Sequence, residues 1–235
     1  MASLAGGWSL GLAAVAAQVA PAATWLPTVR AAFPRLAGVG RGDHVALTFD
    51  DGPDPVSTPA ILDLLAANEV RATFFLIGER AARAPDVVQR MVDEGHELGV
   101  HGWRHRYLFA GSPRIGRCLA AISDAVGAAH PRPRWFRPPF GVLTATSAVE
   151  AARYGLAPVL WTAWAKDWRA DATADSVRAM LEPGLVGGAT LLLHDASTKE
   201  APMSWTATAR ALPALLRDCA DRGLTVGPLR EHGVG

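Results

Sequence analysis

Net charge, cysteine and tyrosine are all scarce in this chain, and each scarcity narrows what it can be. Its 23 Lys and Arg against 22 Asp and Glu leave a formal charge of +1. No Lys/Arg-rich run appears either, so nothing draws the chain toward DNA or RNA and no nucleic-acid partner is expected. The 2 cysteines, Cys118 and Cys219, lack the close spacing of a zinc knuckle and could pair only if the fold brought them together. Between Ala2 and Thr28 no side chain is charged. That stretch could span a bilayer, with membrane contact through residues 2–28, or act as an export signal. Its flanks disagree: no Lys or Arg precedes it, Pro21 and Pro27 interrupt it, and its alanines add little hydrophobicity per residue. A helix packed on the domain is the other reading of residues 1–40.

What the chain has in quantity is apolar. Of its 235 residues 50% are hydrophobic, ample for the core of one domain of ordinary size. Past the flexible break Gly38-Val39-Gly40-Arg41-Gly42, short apolar runs alternate with helical patterns across residues 41–235, the sign of repeated β/α units. The pattern predicts about seven parallel strands, near His44–Phe49, Ala72–Ile77, Glu97–Val100, Trp135–Arg137, Ala157–Trp161, Ala189–Leu193 and Leu224–Val226. Helices are expected over Thr58–Ala67, Pro85–Glu94, Pro113–Ala128, Ala145–Arg153, Ala174–Leu181 and Thr206–Arg222. Start signals such as Thr58-Pro59 and Thr173, and stops such as Gly95, Gly155, Gly184 and Gly223, delimit several of them.

The polar candidates fall on this map in a repeating way. Asp50-Asp51 follow the first strand, His101 the third and His194 the sixth, Arg137 ends the fourth, and Asp167 lies in the loop after the fifth. In a parallel β/α barrel those strand ends share one rim, and that rim carries the active site. Independent surface residues would have no reason to choose it repeatedly.

The residue types suit one chemistry. Asp50 and Asp51 stand in a tight turn, where Gly52-Pro53 halts the strand and both carboxylates can face one cavity. The pair His101 and His105, four apart, can close on one ion, and one carboxylate added to them gives the ligand count of a catalytic metal with open positions. The other aspartate is then available to take a proton from an attacking water, with Arg137 holding it ionised and oriented. His194, with Asp167 to fix its tautomer and raise its proton affinity, can protonate a departing amine. An exposed indole among Trp103, Trp161, Trp164, Trp168 and Trp205 can stack on a sugar ring. Asp-Gly turns, buried histidines and core tryptophans are also ordinary structural features, so the weight rests on the combination.

In order and spacing these residues resemble the polysaccharide deacetylases that share the NodB homology domain, carbohydrate esterase family 4. The motifs are Thr48-Phe49-Asp50-Asp51-Gly52-Pro53, His101 and His105 after Gly95-His96-Glu97-Leu98-Gly99, Arg137-Pro138-Pro139-Phe140-Gly141, Asp167-Trp168, and Leu192-Leu193-His194. The resemblance implies a distorted, incomplete (β/α) barrel. It implies Asp50 as general base, Asp51, His101 and His105 as metal ligands, Arg137 as partner of Asp50, and His194 as general acid paired with Asp167. Phe140, Trp168 and Leu192 would line the substrate pocket, and a backbone N–H near Phe140 would help hold the oxyanion. The implied cofactor is one divalent ion, zinc first, with cobalt, nickel, manganese or iron accepted. The implied partner is an acetylated glycan such as peptidoglycan or chitin oligomers, in the cell envelope or outside the cytoplasm. An O-acetyl esterase, another amidase and a silent glycan-binding protein on the same fold are the alternatives. Three positions depart from the family pattern: Val100, Gly102 and Trp164.

Overall fold

The computed structural model describes residues 15–107, 112–127 and 130–234. Its strands are β1 (His44–Asp50), β2 (Thr73–Leu76), β3 (Glu97–Val100), β4 (Trp135–Phe136), β5 (Ala157–Pro158), β6 (Ala163–Trp164), β7 (Thr190–His194) and β8 (Thr225–Gly227). They form one 8-stranded sheet in the order β5-β4-β3-β2-β1-β7-β6, with β8 beside β1. Every pairing is parallel. β2 pairs with Thr48–Asp50 of β1, while β8 pairs with His44–Ala46.

Burial along β1 shows how the sequence builds the barrel. All of its residues are buried, as expected for a central parallel strand covered on both faces. Val45, Leu47 and Phe49 join the main core, while Ala46 joins Phe75, Trp135, Val159, Leu229 and Val234 in a second cluster. This period of two separates a helix-facing side from a barrel interior. The outer face is covered by α1 (Ser57–Ala67), α2 (Pro85–Asp93), α3 (Ile115–Val126), α4 (Ala145–Arg153), α5 (Ala174–Leu181) and α6 (Trp205–Asp221). Thr144 with Ser147, and Thr173 with Ser176, form reciprocal capping boxes that start α4 and α5.

Of the expected strand Ala157–Trp161 only Ala157–Pro158 is strand, as β5; β6 follows beyond it at Ala163–Trp164, and the two pair with β4 and β7 at opposite ends of the sheet order. Residues 159–162 carry the chain across the gap, and here the barrel is incomplete. Their backbone groups find other partners, as buried peptide groups must. Arg137 Nη2 donates to the Leu160 carbonyl (2.8 Å) and Nε to that of Val159 (3.3 Å), while Leu160 N–H donates to the Leu36 carbonyl (2.8 Å).

The bottom of the barrel is plugged by the C-terminal turn Leu229–Glu231. Buried Glu97 accepts from Thr73 Oγ1, Trp135 Nε1 and Arg230 N at 2.8–2.9 Å. His44 and His232 lie nearby with their Nδ1 atoms 2.9 Å apart.

The part of the N-terminal segment that is described packs onto the barrel through short helical turns, Ala20–Trp25, Pro27–Ala32 and Pro34–Ala37. Besides the Leu36 contact, Thr190 Oγ1 donates to the Gly38 carbonyl (2.6 Å). Among the described residues no helix is long and apolar enough to cross a membrane. Residues 1–14 of that hydrophobic segment lie outside the described ones.

Candidate active site

β1 ends on Asp50, and the next residue turns out of the strand because Asp51 adopts a left-handed backbone with φ 78°. Such a conformation costs a non-glycine residue about 1–3 kcal/mol and persists only where the surroundings impose it. Here the imposing group is Asp195. Its buried Oδ1 accepts from Gly52 N (3.0 Å) and its Oδ2 from Thr58 Oγ1 (2.6 Å). A side chain at residue 52 would meet Asp195 Oδ2 at 2.0 Å, so only glycine fits there. Burial pushes the Asp195 carboxyl up to about 7, against the Thr58 hydrogen bond.

Asp51 faces the two histidines. Its Oδ1 lies 3.6 Å from His101 Nε2 and 3.5 Å from His105 Nε2, and the three ligand atoms fall within 4.8 Å of one another. That oxygen is buried without a hydrogen-bond partner, an arrangement that costs free energy unless a cation takes it up. His101 Nδ1 donates to the Arg137 carbonyl (2.7 Å), which leaves the Nε2 lone pair aimed at Asp51. Burial holds His101 neutral, lowered to about 3, and a neutral imidazole is the ligand form. The residues present therefore fit a divalent ion.

Asp50 is 2% exposed, and its Oδ1 is held by Arg137 Nη1 at 2.8 Å. The same nitrogen donates to Thr48 Oγ1 (2.7 Å), which itself donates to the Leu191 carbonyl. Arg137 is fully buried (0% exposed) and lies over the Phe75 ring at 4.0 Å. Burial raises the Asp50 carboxyl above its ordinary range, with Arg137 and His194 pulling it back. Arg137 orients Asp50 as expected of its partner, and desolvation opposes the ion pair.

Opposite Asp50 in the β1–β7 register stands His194. Its Nδ1 donates to Asp167 Oδ1 (2.8 Å), while Asp167 Oδ2 accepts from His194 N (2.8 Å) and Thr208 Oγ1 (2.6 Å). Burial alone would lower the imidazole, but the Asp167 carboxylate raises it to about 9. A carboxylate paired with Arg137 and able to accept a proton thus stands across from an imidazole paired with Asp167 and able to donate one, the roles a general base and a general acid require.

The expected pocket residues lie around these groups. Trp168 stands edge-on to His194 (5.2 Å, 73°). Buried Leu192 packs with Trp161 and Trp164. Phe140, in left-handed backbone (φ 59°), lies between His105 (4.1 Å) and Tyr107 (4.0 Å). Trp103 is buried beside Arg117, 3.8 Å from ring centroid to guanidinium carbon. Gly102 takes φ 86°, a backbone conformation that favours glycine. Sequence reasoning missed Asp195 and Thr208 and gave Thr48 no role beyond its motif, because their partners are remote in sequence. Cys118 and Cys219 are both free and buried.

Comparison with known proteins bears on the family and the fold. The family model described as polysaccharide deacetylase matches residues 37–159. A chitooligosaccharide deacetylase of Bradyrhizobium sp. is 37% identical over 206 residues, which is 80% of this chain and 89% of the relative. Among solved structures, the Bc1960 peptidoglycan N-acetylglucosamine deacetylase superposes with TM-score 0.78 at 27% identity, over 89% of this chain and 97% of that one. A family 4 acetyl xylan esterase from Clostridium thermocellum, solved with cobalt, gives TM-score 0.68 at 33% identity over 80% and 88%. On its fold, its motifs and these matches, the chain belongs to the polysaccharide deacetylase family.

Proposed function

We propose that this protein is a metal-dependent hydrolase that removes acetyl groups from N-acetylated sugars of a glycan such as peptidoglycan or chitin oligomers. The observation that carries the reading is the placement of Asp50 and His194 across one β1–β7 register, beside the Asp51, His101 and His105 cluster. A divalent ion held by those three residues would polarise the acetyl carbonyl and acidify an attacking water. Asp50 Oδ2, left unengaged by Arg137 and 3.8 Å from His101 Nε2, takes the proton as the water oxygen adds to the carbonyl carbon. Arg137 on the other oxygen keeps that acceptor turned toward the site. When the C–N bond breaks, its electron pair goes to nitrogen, and His194 Nε2–H supplies the proton that releases a free amine and acetate. Asp167 holds Nδ1 and leaves Nε2 as the donating atom. Phe140, Trp168 and Leu192 wall the acetyl group.

Zinc is the first choice for a His₂-carboxylate set, and cobalt, nickel, manganese or iron would also be accepted. The cobalt in the Clostridium thermocellum neighbour supports that breadth. Relatives that act on peptidoglycan and chitooligosaccharides support a place of work outside the cytoplasm, at the cell envelope.

An O-acetyl esterase is the second reading, favoured by the likeness to an acetyl xylan esterase. Acetate release from N-acetylglucosamine oligomers, peptidoglycan and O-acetylated xylan separates the two. The protein is stripped of metal and then reloaded with zinc or cobalt. Metal-dependent release from the N-acetylated substrates is expected. Release from xylan alone would select the esterase, and no release with full metal would refute both.

A further inference from the structure

The N-terminal segment does more than cover the open side of the barrel. Arg30 donates to the Trp161 carbonyl, and Gln18 Oε1 accepts from Thr146 N (3.2 Å) and Oγ1 (2.9 Å) at the start of α4. Between these ties stands Trp25, 42% exposed. Its indole meets Trp161 (5.8 Å, 81°) and Trp164 (5.9 Å, 62°) edge-on. A side chain at Gly141, at the end of the Arg137–Gly141 loop, would lie 3.3 Å from the Trp25 ring. Trp25 therefore touches both walls of the opening.

The rings continue inward. Trp164 lies 5.3 Å from Trp168, and Trp168 lies 5.2 Å from His194. Lys166 Nζ sits 5.3 Å from the Trp164 ring, a donor for hydroxyls at the same edge. Trp164 and Trp168 are only half buried, so the track is an aromatic surface open to solvent. Single exposed apolar residues need no explanation, but a contiguous aromatic patch running into a catalytic opening calls for an occupant. Indoles present flat apolar faces with a polar edge, which suits a pyranose ring bearing axial hydrogens and equatorial hydroxyls.

We infer that Trp25, with Trp164, forms a binding subsite for the sugar ring next to the acetylated one, so that the segment ahead of the barrel selects oligosaccharides over single residues. This rests on the proposed deacetylase activity. Trp25 acts as a specificity-determining residue and takes no part in proton transfer. Its occupant is a neutral or weakly charged sugar of the same glycan chain.

The test compares the zinc-loaded protein with its Trp25→Ala and Trp25→Phe variants on N-acetylglucosamine tetramer and on 4-nitrophenyl acetate. For Trp25→Ala the ratio of kcat/KM between tetramer and aryl ester is expected to fall about 3- to 10-fold, the range a lost aromatic contact gives. The change should sit in KM, with Trp25→Phe recovering most of it. An unchanged ratio would overturn the subsite, because a merely structural tryptophan lowers both substrates together. Tetramer binding to Asp50→Asn protein, followed by calorimetry with and without Trp25→Ala, judges the subsite without turnover. Weaker binding supports it and equal binding overturns it, even if no acetate is released and the deacetylase reading fails.

Discussion

Replacing Asp167 by Asn removes one charge and reverses one hydrogen bond, and its consequence can be worked from the site. In the parent, the carboxylate holds the His194 imidazole at about 9 against the opposing effect of burial. At pH 8 about 90% of such a group is protonated and can donate from Nε2. In the variant burial still lowers the imidazole while only the lesser pulls of Asp51 and Asp50 raise it, so its proton affinity falls and a smaller fraction is protonated at pH 8. The amide N–H₂ placed against Nδ1 would also force that nitrogen to accept, leaving a neutral ring that donates poorly. The expected result is a loss of about 10-fold or more in kcat/KM at pH 8, with the alkaline limb of the pH profile displaced to lower pH. A bound dication lowers His194 in both proteins, so the displacement is read between them at equal metal loading. The shift has a counterpart in stability. Because the folded-state proton affinity is raised, His194 stabilises the parent below about pH 6.5, and the contribution is lost as pH rises through about 9. The assay is acetate release across pH 5–10, with thermal unfolding alongside. A variant that keeps the parent's alkaline limb would refute the assignment of His194 as the acid.

Further outcomes follow from the same geometry. Asp51→Asn removes the one carboxylate of the metal cluster and should weaken zinc binding beyond the roughly 10- to 100-fold typical of supporting groups, measured by chelator competition. Asp195→Ala leaves Gly52 N and Thr58 Oγ1 without their acceptor. It should cost about 1–3 kcal/mol and weaken zinc binding about 10-fold by loosening the Asp51 turn; unchanged zinc affinity would confine Asp195 to stability. Arg137→Met strands a buried carboxylate and frees the Leu160 and Val159 carbonyls. A loss of about 3–5 kcal/mol, or roughly 6–20 °C in Tm, is expected by calorimetry.

Local pattern made most of the barrel legible. β1, β2, β3 and β7 are short apolar runs, and their burial is what such runs predict. The segment 157–161 misled, because its apolar composition reads as one strand. It is strand only at Ala157–Pro158, and beyond that Arg137, more than twenty residues earlier in sequence, takes carbonyls that a neighbouring strand would otherwise bind. The local hint is Pro158, which has no N–H to give a ladder and ends β5. The site was legible where residues of distinctive chemistry sit at strand ends, as with Asp50, Asp51, His101 and His194. It was obscure where an ordinary residue acts through tertiary contact. Asp195 follows His194 directly, yet its importance lies in the turn at Gly52, and Thr208 reaches Asp167 from α6. Trp25 was hidden for another reason: an uncharged N-terminal stretch reads as a membrane or export segment, and only packing places its indole on the rim.

The most direct test of the account is acetate release from N-acetylglucosamine tetramer by Asp50→Asn protein carrying a full equivalent of zinc, compared with the parent in the same state. Loss of about 100-fold or more in turnover, with zinc affinity retained, is the predicted result and separates the base from the ligands. Turnover close to the parent's at full zinc occupancy would contradict it, and the proton acceptor would have to be sought elsewhere on the rim.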